Sequence, residues 1–225
     1  MAVAETGGMP ESNLLRAFDD AVMPLRCAFC GVRTTREERH VCADCEEDLP
    51  WIESARPMAP FRVAMAPLAY EFPVDAAIKA LKFRRRLWYG PALAQLLRRS
   101  VDVLPDDIDA VLPVPLHWRR QWWRGFNQAR EIAVPVAQKI GVPVIGGVRR
   151  VRATRPQSGL SAGERMRNVR DAFVARGRCR ARHVLIVDDV VTTGATVGQL
   201  ARVVLASGVK QVSALVVARA SRPDG

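Results

Sequence analysis

Two aspartates, Asp188 and Asp189, stand side by side in the stretch VLIVDDVVTTGATVGQL, Val184–Leu200. The apolar run before them, His183 to Val187, reads as a buried strand that delivers both carboxylates to its carboxyl end. Ligands of open α/β sheets bind at that edge. The following VVTTGAT reads as a turn into a helix. Backbone amides in such a turn, together with the helix N-terminus, make an anion site suited to phosphate. Thr192, Thr193 and Thr196 add hydroxyl donors, and Gly194 lets a ligand approach the backbone. Carboxylates accept hydrogen bonds from sugar hydroxyls. The chemistry expected is therefore a ligand with a phosphate at one end and a diol at the other, as in a ribose 5-phosphate. A plain strand–turn–helix junction capped by aspartates is the simpler reading. Receiver domains and haloacid-dehalogenase-like sites also carry strand-end aspartates, but neither requires a TTGAT loop directly afterwards.

A second constellation lies in AVLPVPLHWRRQWWRGFNQAREIA, Ala110–Ala133. A buried strand ending at PVP is expected to open into a loop with His117, Arg119, Arg120 and Arg124, interleaved with Trp118, Trp122 and Trp123. Guanidinium groups fork onto phosphate oxygens. The tryptophans either pack on the domain body or offer faces on which unpaired bases stack. The third constellation is Cys27-x2-Cys30 with Cys42-x2-Cys45, separated by 11 residues. Four thiolates so spaced close a tetrahedral, structural zinc site. Reduced thiols without metal are the alternative, and His40 is a competing ligand; Cys179 stands apart as structural or incidental.

These residues need elements to hold them. The chain has 225 residues, 49% hydrophobic, enough for one α/β core and a small appended module. No apolar run reaches the roughly 18–20 residues that span a bilayer. MAVAETGGMPESNLL lacks the charged and apolar regions of a secretory signal, so a cytoplasmic location is expected. Lys and Arg total 34 against 23 Asp and Glu, giving net charge +11. Arginine-rich composition fits a GC-rich coding sequence as well as phosphate-bearing partners. Residues 1–23 read as an extension with one amphipathic helix, 24–50 as the cysteine module, and 51–225 as the main domain. VDAAIKALKF is a helix running into Arg84–Arg86, and PALAQLLRRSVDVL a second with Pro91 at its start. NQAREIAVPVAQKIGVPV is a helix then a strand, with a kink or break expected at Pro135. GVRRVRATRPQSGLSAGERMRN gives a strand, a basic loop and a short helix from Ser161. RDAFVA and RHVLIVDD are strands, ATVGQLARVVLASG a helix, and KQVSALVVARA the closing strand. Alternation of strands and helices predicts a mostly parallel sheet.

The segment VLIVDDVVTTGAT resembles the signature of type I phosphoribosyltransferases at every position. The resemblance implies an α/β, Rossmann-like fold with a mostly parallel sheet and a ligand, phosphoribosyl pyrophosphate, taken up with magnesium. Asp188 and Asp189 would hold the ribose hydroxyls, and Thr192, Thr193, Gly194, Ala195 and Thr196 the 5-phosphate. RGFNQA (Arg124–Ala129), QSGLS (Gln157–Ser161) and IKALKFRRR sharpen it to the ComF proteins associated with competence for DNA uptake. In these a zinc ribbon, here Cys27, Cys30, Cys42 and Cys45 within 24–50, precedes the transferase-like domain, here 51–225. Carried over, Arg124 joins the aspartates in catalysis. Lys82, Arg119, Arg120, Asn127, Gln128 and Gln157 become ligand neighbours, with Arg165 beside them. The reaction implied is phosphoribosyl transfer to an acceptor nitrogen, a glycosyltransferase chemistry, with the acceptor and turnover itself open. The alternative is a non-catalytic protein of natural transformation that senses phosphoribosyl pyrophosphate or binds single-stranded DNA alongside helicase or recombination partners. A purely structural zinc adaptor is a third reading.

Overall fold

The computed structural model describes residues 25–35, 38–52, 56–152 and 171–220. The expected N-terminal helix, Gln157, Arg165 and the helix from Ser161 lie outside the described residues. The chain divides into two compact units, Met1–Glu47 and Asp48–Gly225. In the first, Gly31 N–H donates to the Cys27 carbonyl and Ala28 N–H to that of His40, which joins the two cysteine arms. A short helix, α1 (Ala43–Glu47), begins within the second arm and carries Cys45.

The second unit opens with three short strands, β1 (Arg56–Met58), β2 (Phe61–Met65) and β3 (Leu68–Ala69). Helices α2 (Val74–Arg84), α3 (Tyr89–Leu96) and α4 (Arg98–Val101) come next. Then follow β4 (Ala110–Pro113), α5 (Trp118–Arg124) and α6 (Gln128–Ile140). Strands β5 (Val148–Arg150) and β6 (Phe173–Ala175) form their own antiparallel pair. The chain closes with β7 (His183–Val191), α7 (Ala195–Ala206) and β8 (Gln211–Arg219).

The main sheet runs β1-β2-β8-β7-β4, with β3 beside β8; every pairing but β1–β2 is parallel. A parallel sheet must be covered on both faces, and the sequence provides for it. Strands β7 and β8 are buried along nearly their whole length. One face packs Ile186, Leu112 and Ala214 against Val197, Leu200 and Val204 of α7. The other is covered by α6, which packs on β4, β7 and α3. At the amino edge, Asp109 takes the amides of Arg182 and His183. His183 in turn spans Asp107 (3.0 Å) and Ser213 (2.9 Å). Ser213 and His183 are buried, so these hydrogen bonds satisfy polar groups that the sheet encloses.

Four expectations need correction. Pro135 neither breaks nor ends α6, which runs through it to Ile140. Apolar side chains on both sides, Ile132, Ala133, Val136 and Ala137, are buried and hold the helix to the sheet, so tertiary packing outweighs the lost hydrogen bond. The strand expected after α6 shrinks to one bridge, Val111 to Val144. The second helix is split at Leu97, and Pro91 sits in its first turn, where a missing N–H is harmless. Strand β7 does not stop at Val187 but continues to Val191, because β8 offers partners as far as Arg219. Glycine at position 90 allows α3 to press on α6, since a Cβ there would lie 2.8 Å from Cβ of Glu131.

Candidate functional site

Both aspartates sit within the last turns of pleat of β7, and both are buried. Buried carboxylates are costly unless paired, and cations from three other elements meet them. Lys82, in the last turn of α2, forms an ion pair with Oδ2 of Asp189. The buried guanidinium of Arg124, at the end of α5, also feels the charge of Asp189. On the other side, buried Arg150 of β5 feels Asp188. Asp189 N–H donates to Oδ1 of Asp188 at 2.9 Å. Burial pushes the Asp188 carboxyl well above the usual range, and the neighbouring Asp189 charge adds to this. Burial works the same way on Asp189, but the Lys82 ammonium, together with the hydrogen bonds that the carboxylate accepts, outweighs it and holds that carboxyl low. The pair thus carries its first negative charge on Asp189.

The turn after β7 is only Thr192–Gly194, shorter than expected. Gly194 is the N-cap of α7 with φ of 74°, a left-handed conformation that favours glycine, and no side chain caps the helix. The amides of Thr192, Thr193 and Gly194 have no protein acceptor among the described residues. Ala195 N–H makes a long 3.4 Å contact to Thr193 Oγ1. Several donors therefore cluster at the N-terminus of a three-turn helix, where an anion is favoured.

The arginine-rich stretch is a helix rather than a loop. His117 caps α5: its Nδ1 accepts from Arg119 N–H at 3.3 Å. Burial first, then the charges of Arg119, Arg150 and Arg120, keep the imidazole pKa below its usual value, which preserves the acceptor. Asn127 caps α6 through its Oδ1 and gives its Nδ2 to the Val114 carbonyl. Gln128 Oε1 accepts from Arg124. Asn127 and Gln128 thus fix the α5–α6 junction and the guanidinium of Arg124, whose buried Nε has no partner among the described residues. Arg119 is different: it is exposed and lies over the Trp118 ring at 5.3 Å. Lys82, Arg124, Asp188 and Asp189 come together; Arg119 turns to solvent. Arg150 was not singled out from sequence. The signal was the alternation in β5, where exposed Arg149 precedes buried Arg150, but a three-residue strand carries too little periodicity to read.

In the cysteine unit, the Sγ atoms of Cys27, Cys30, Cys42 and Cys45 all lie within 4.8 Å of one another. Cys30 and Cys42 sulfurs are 3.7 Å apart. That is the edge of a tetrahedron with metal–sulfur bonds of about 2.3 Å, as zinc makes. Burial raises the Cys27 thiol pKa, but the amides of Cys30, Cys42 and Phe29 outweigh it and leave it at about 7. The cluster is able to hold one metal ion, and the four donors suit zinc.

Residues 127–224 match the phosphoribosyl transferase domain. The chain is 35% identical over 207 residues to the DNA utilization protein YhgH of Escherichia coli strain K12, covering 86% of this chain and 89% of that one. It is 34% identical over 206 residues to competence protein F of Haemophilus influenzae, covering 86% and 84%. With competence protein ComFC of Bacillus subtilis it shares 26% over 183 residues, covering 81% and 72%. No helix among the described residues is long and apolar enough to cross a membrane.

Proposed function

Because the chain belongs to the ComF family of competence-associated, phosphoribosyltransferase-like proteins, we propose that it binds phosphoribosyl pyrophosphate with magnesium at the carboxyl edge of β7. The observation that carries this reading is the pairing of a donor-rich turn with two buried acids on one strand end. Thr192–Thr196 would take the 5-phosphate. Asp188 and Asp189 would take the ribose hydroxyls, with Lys82 yielding its place on Asp189. Arg124 and Arg120 suit the pyrophosphate, and Arg150, beside Asp188, joins them. If transfer follows, the bond from C1 to pyrophosphate breaks with oxocarbenium character and an acceptor nitrogen attacks C1. The protein then contributes orientation and charge stabilisation. The four cysteines hold one structural zinc ion. The setting is the cytoplasm, in the handling of incoming DNA.

Calorimetry with magnesium and phosphoribosyl pyrophosphate tests the binding. Saturable binding that is lost in the Asp188→Asn, Asp189→Asn double variant supports it; no heat with the wild-type chain overturns it. Pyrophosphate release with a panel of bases and nucleosides separates an enzyme from a sensor. A second reading, a single-strand surface, is favoured by the exposed Trp118, Trp122 and Trp123.

A further inference from the structure

Helix α5 has two unlike faces. Residues four apart share a side of a helix. Arg120 and Arg124 share one, half-buried and buried, and that side meets the acidic strand end: Arg124 feels Asp189, and Arg120 acts on Arg150 and His117. Trp118 and Trp122 share another and are 64% and 83% exposed, with Trp123 at 63% beside exposed Arg119. Large apolar rings so exposed call for an occupant. The outer face extends beyond the helix. Arg85, just past α2, donates to the Trp123 carbonyl at 2.8 Å, and the exposed ring of Phe83 lies under Arg124 at 5.5 Å. The exposed run Arg84–Arg86 thus adjoins the helix that bears the tryptophans, while Phe83 packs on its inner arginine.

We propose that α5 reads two anions at once and sets them against each other: its inner arginines hold the pyrophosphate of the sugar ligand, and its outer tryptophans stack the bases of a single nucleic-acid strand. The inner half rests on the phosphoribosyl reading above. A single strand is the occupant because ring faces with interspersed cations match unpaired bases on a polyanion, whereas a duplex hides its base faces. A net charge of +11 supports a polyanionic partner. The opposition follows from geometry. A helix with its side chains is only about 10–12 Å across, close to the Debye length of about 10 Å at moderate salt. Phosphates bound within reach of Arg120 and Arg124 therefore repel those of a strand on the far side. Magnesium offsets part of the ligand's negative charge but not all of it, and parting the Lys82–Asp189 pair leaves the net charge of the chain unchanged.

The test uses the full chain, a fluorescent mixed-sequence oligonucleotide and fluorescence anisotropy at low salt. Ionic strength is matched in the presence and absence of saturating magnesium and phosphoribosyl pyrophosphate. The expected result is strand binding that weakens by about fivefold with the ligand, with the ligand weakened equally by the strand, as linkage requires. The effect shrinks as salt rises, and a duplex of the same sequence binds more weakly. Strand affinity unchanged or tightened by a ligand that calorimetry shows to be bound overturns the opposition. Absent strand binding, or a duplex bound equally well, overturns the stacking face. If the strand binds and the ligand alone gives no calorimetric signal, the phosphoribosyl reading falls, and the opposition with it.

Discussion

Asp188 and Asp189 are neighbours in sequence but opposites in titration. Asp189 is held low by Lys82, so its ionised form stabilises the fold above its unfolded pKa of about 3.9, and that contribution is lost as pH falls through the folded value. Asp188 is raised by burial and by Asp189; its contribution is full below about 3.9 and lost as pH rises through the folded value. Asp189→Asn strands the mostly buried Lys82 and should cost about 2–4 kcal/mol. Asp188→Asn keeps the oxygen that accepts from Asp189 N–H, and its melting temperature relative to wild type should improve from about pH 5 to pH 8. Thermal melts of both variants across that range check the asymmetry; equal losses would contradict it. Ligand affinity should rise with pH as Asp188 ionises and flatten in Asp188→Asn. The acidic pair was legible in the sequence because an apolar run ends on it. Its internal asymmetry was not, because Lys82, Arg124 and Arg150 reach it from three separate elements.

Among the elements, β7 and α7 were legible because strong apolar runs left little choice of period. The helix α5 was not. Its tryptophans face solvent, so it lacks the inward apolar stripe by which a helix is read, and its start rests on an unusual cap, His117. The persistence of α6 through Pro135 was hidden for the opposite reason: a local penalty is visible in sequence, while the packing that overrides it is not. That packing depends on Gly90. Gly90→Ala must push α3 from α6 or displace Glu131, and should lower stability by about 1–3 kcal/mol in denaturant melts. Since α6 begins at the Asn127 cap, beside Arg124, the same variant should also weaken ligand binding. An unchanged melt would mean that the two helices have slack that the structure denies.

At the scale of the whole molecule, two units rest on different physics. Residues 48–225 have a sheet covered on both faces, whereas the described part of the other unit buries little besides Cys27, Val41 and Cys42. Metal binding supplies the missing free energy in modules of this kind. Metal analysis should give one zinc ion per chain, and chelation should speed amide exchange in residues 38–47 while β7 and β8 stay protected. Well under one ion per chain would contradict the zinc assignment. The cysteine spacing made this unit readable without any periodicity, since ligand chemistry fixes it directly.

The most direct measurement is a crystal structure with magnesium and phosphoribosyl pyrophosphate bound. The account predicts the 5-phosphate on the amides of Thr192–Thr196, the ribose hydroxyls on Asp188 and Asp189, and Lys82 displaced from its ion pair. A ligand bound elsewhere, or a 5-phosphate on the arginines of α5 with the turn before α7 empty, would contradict it.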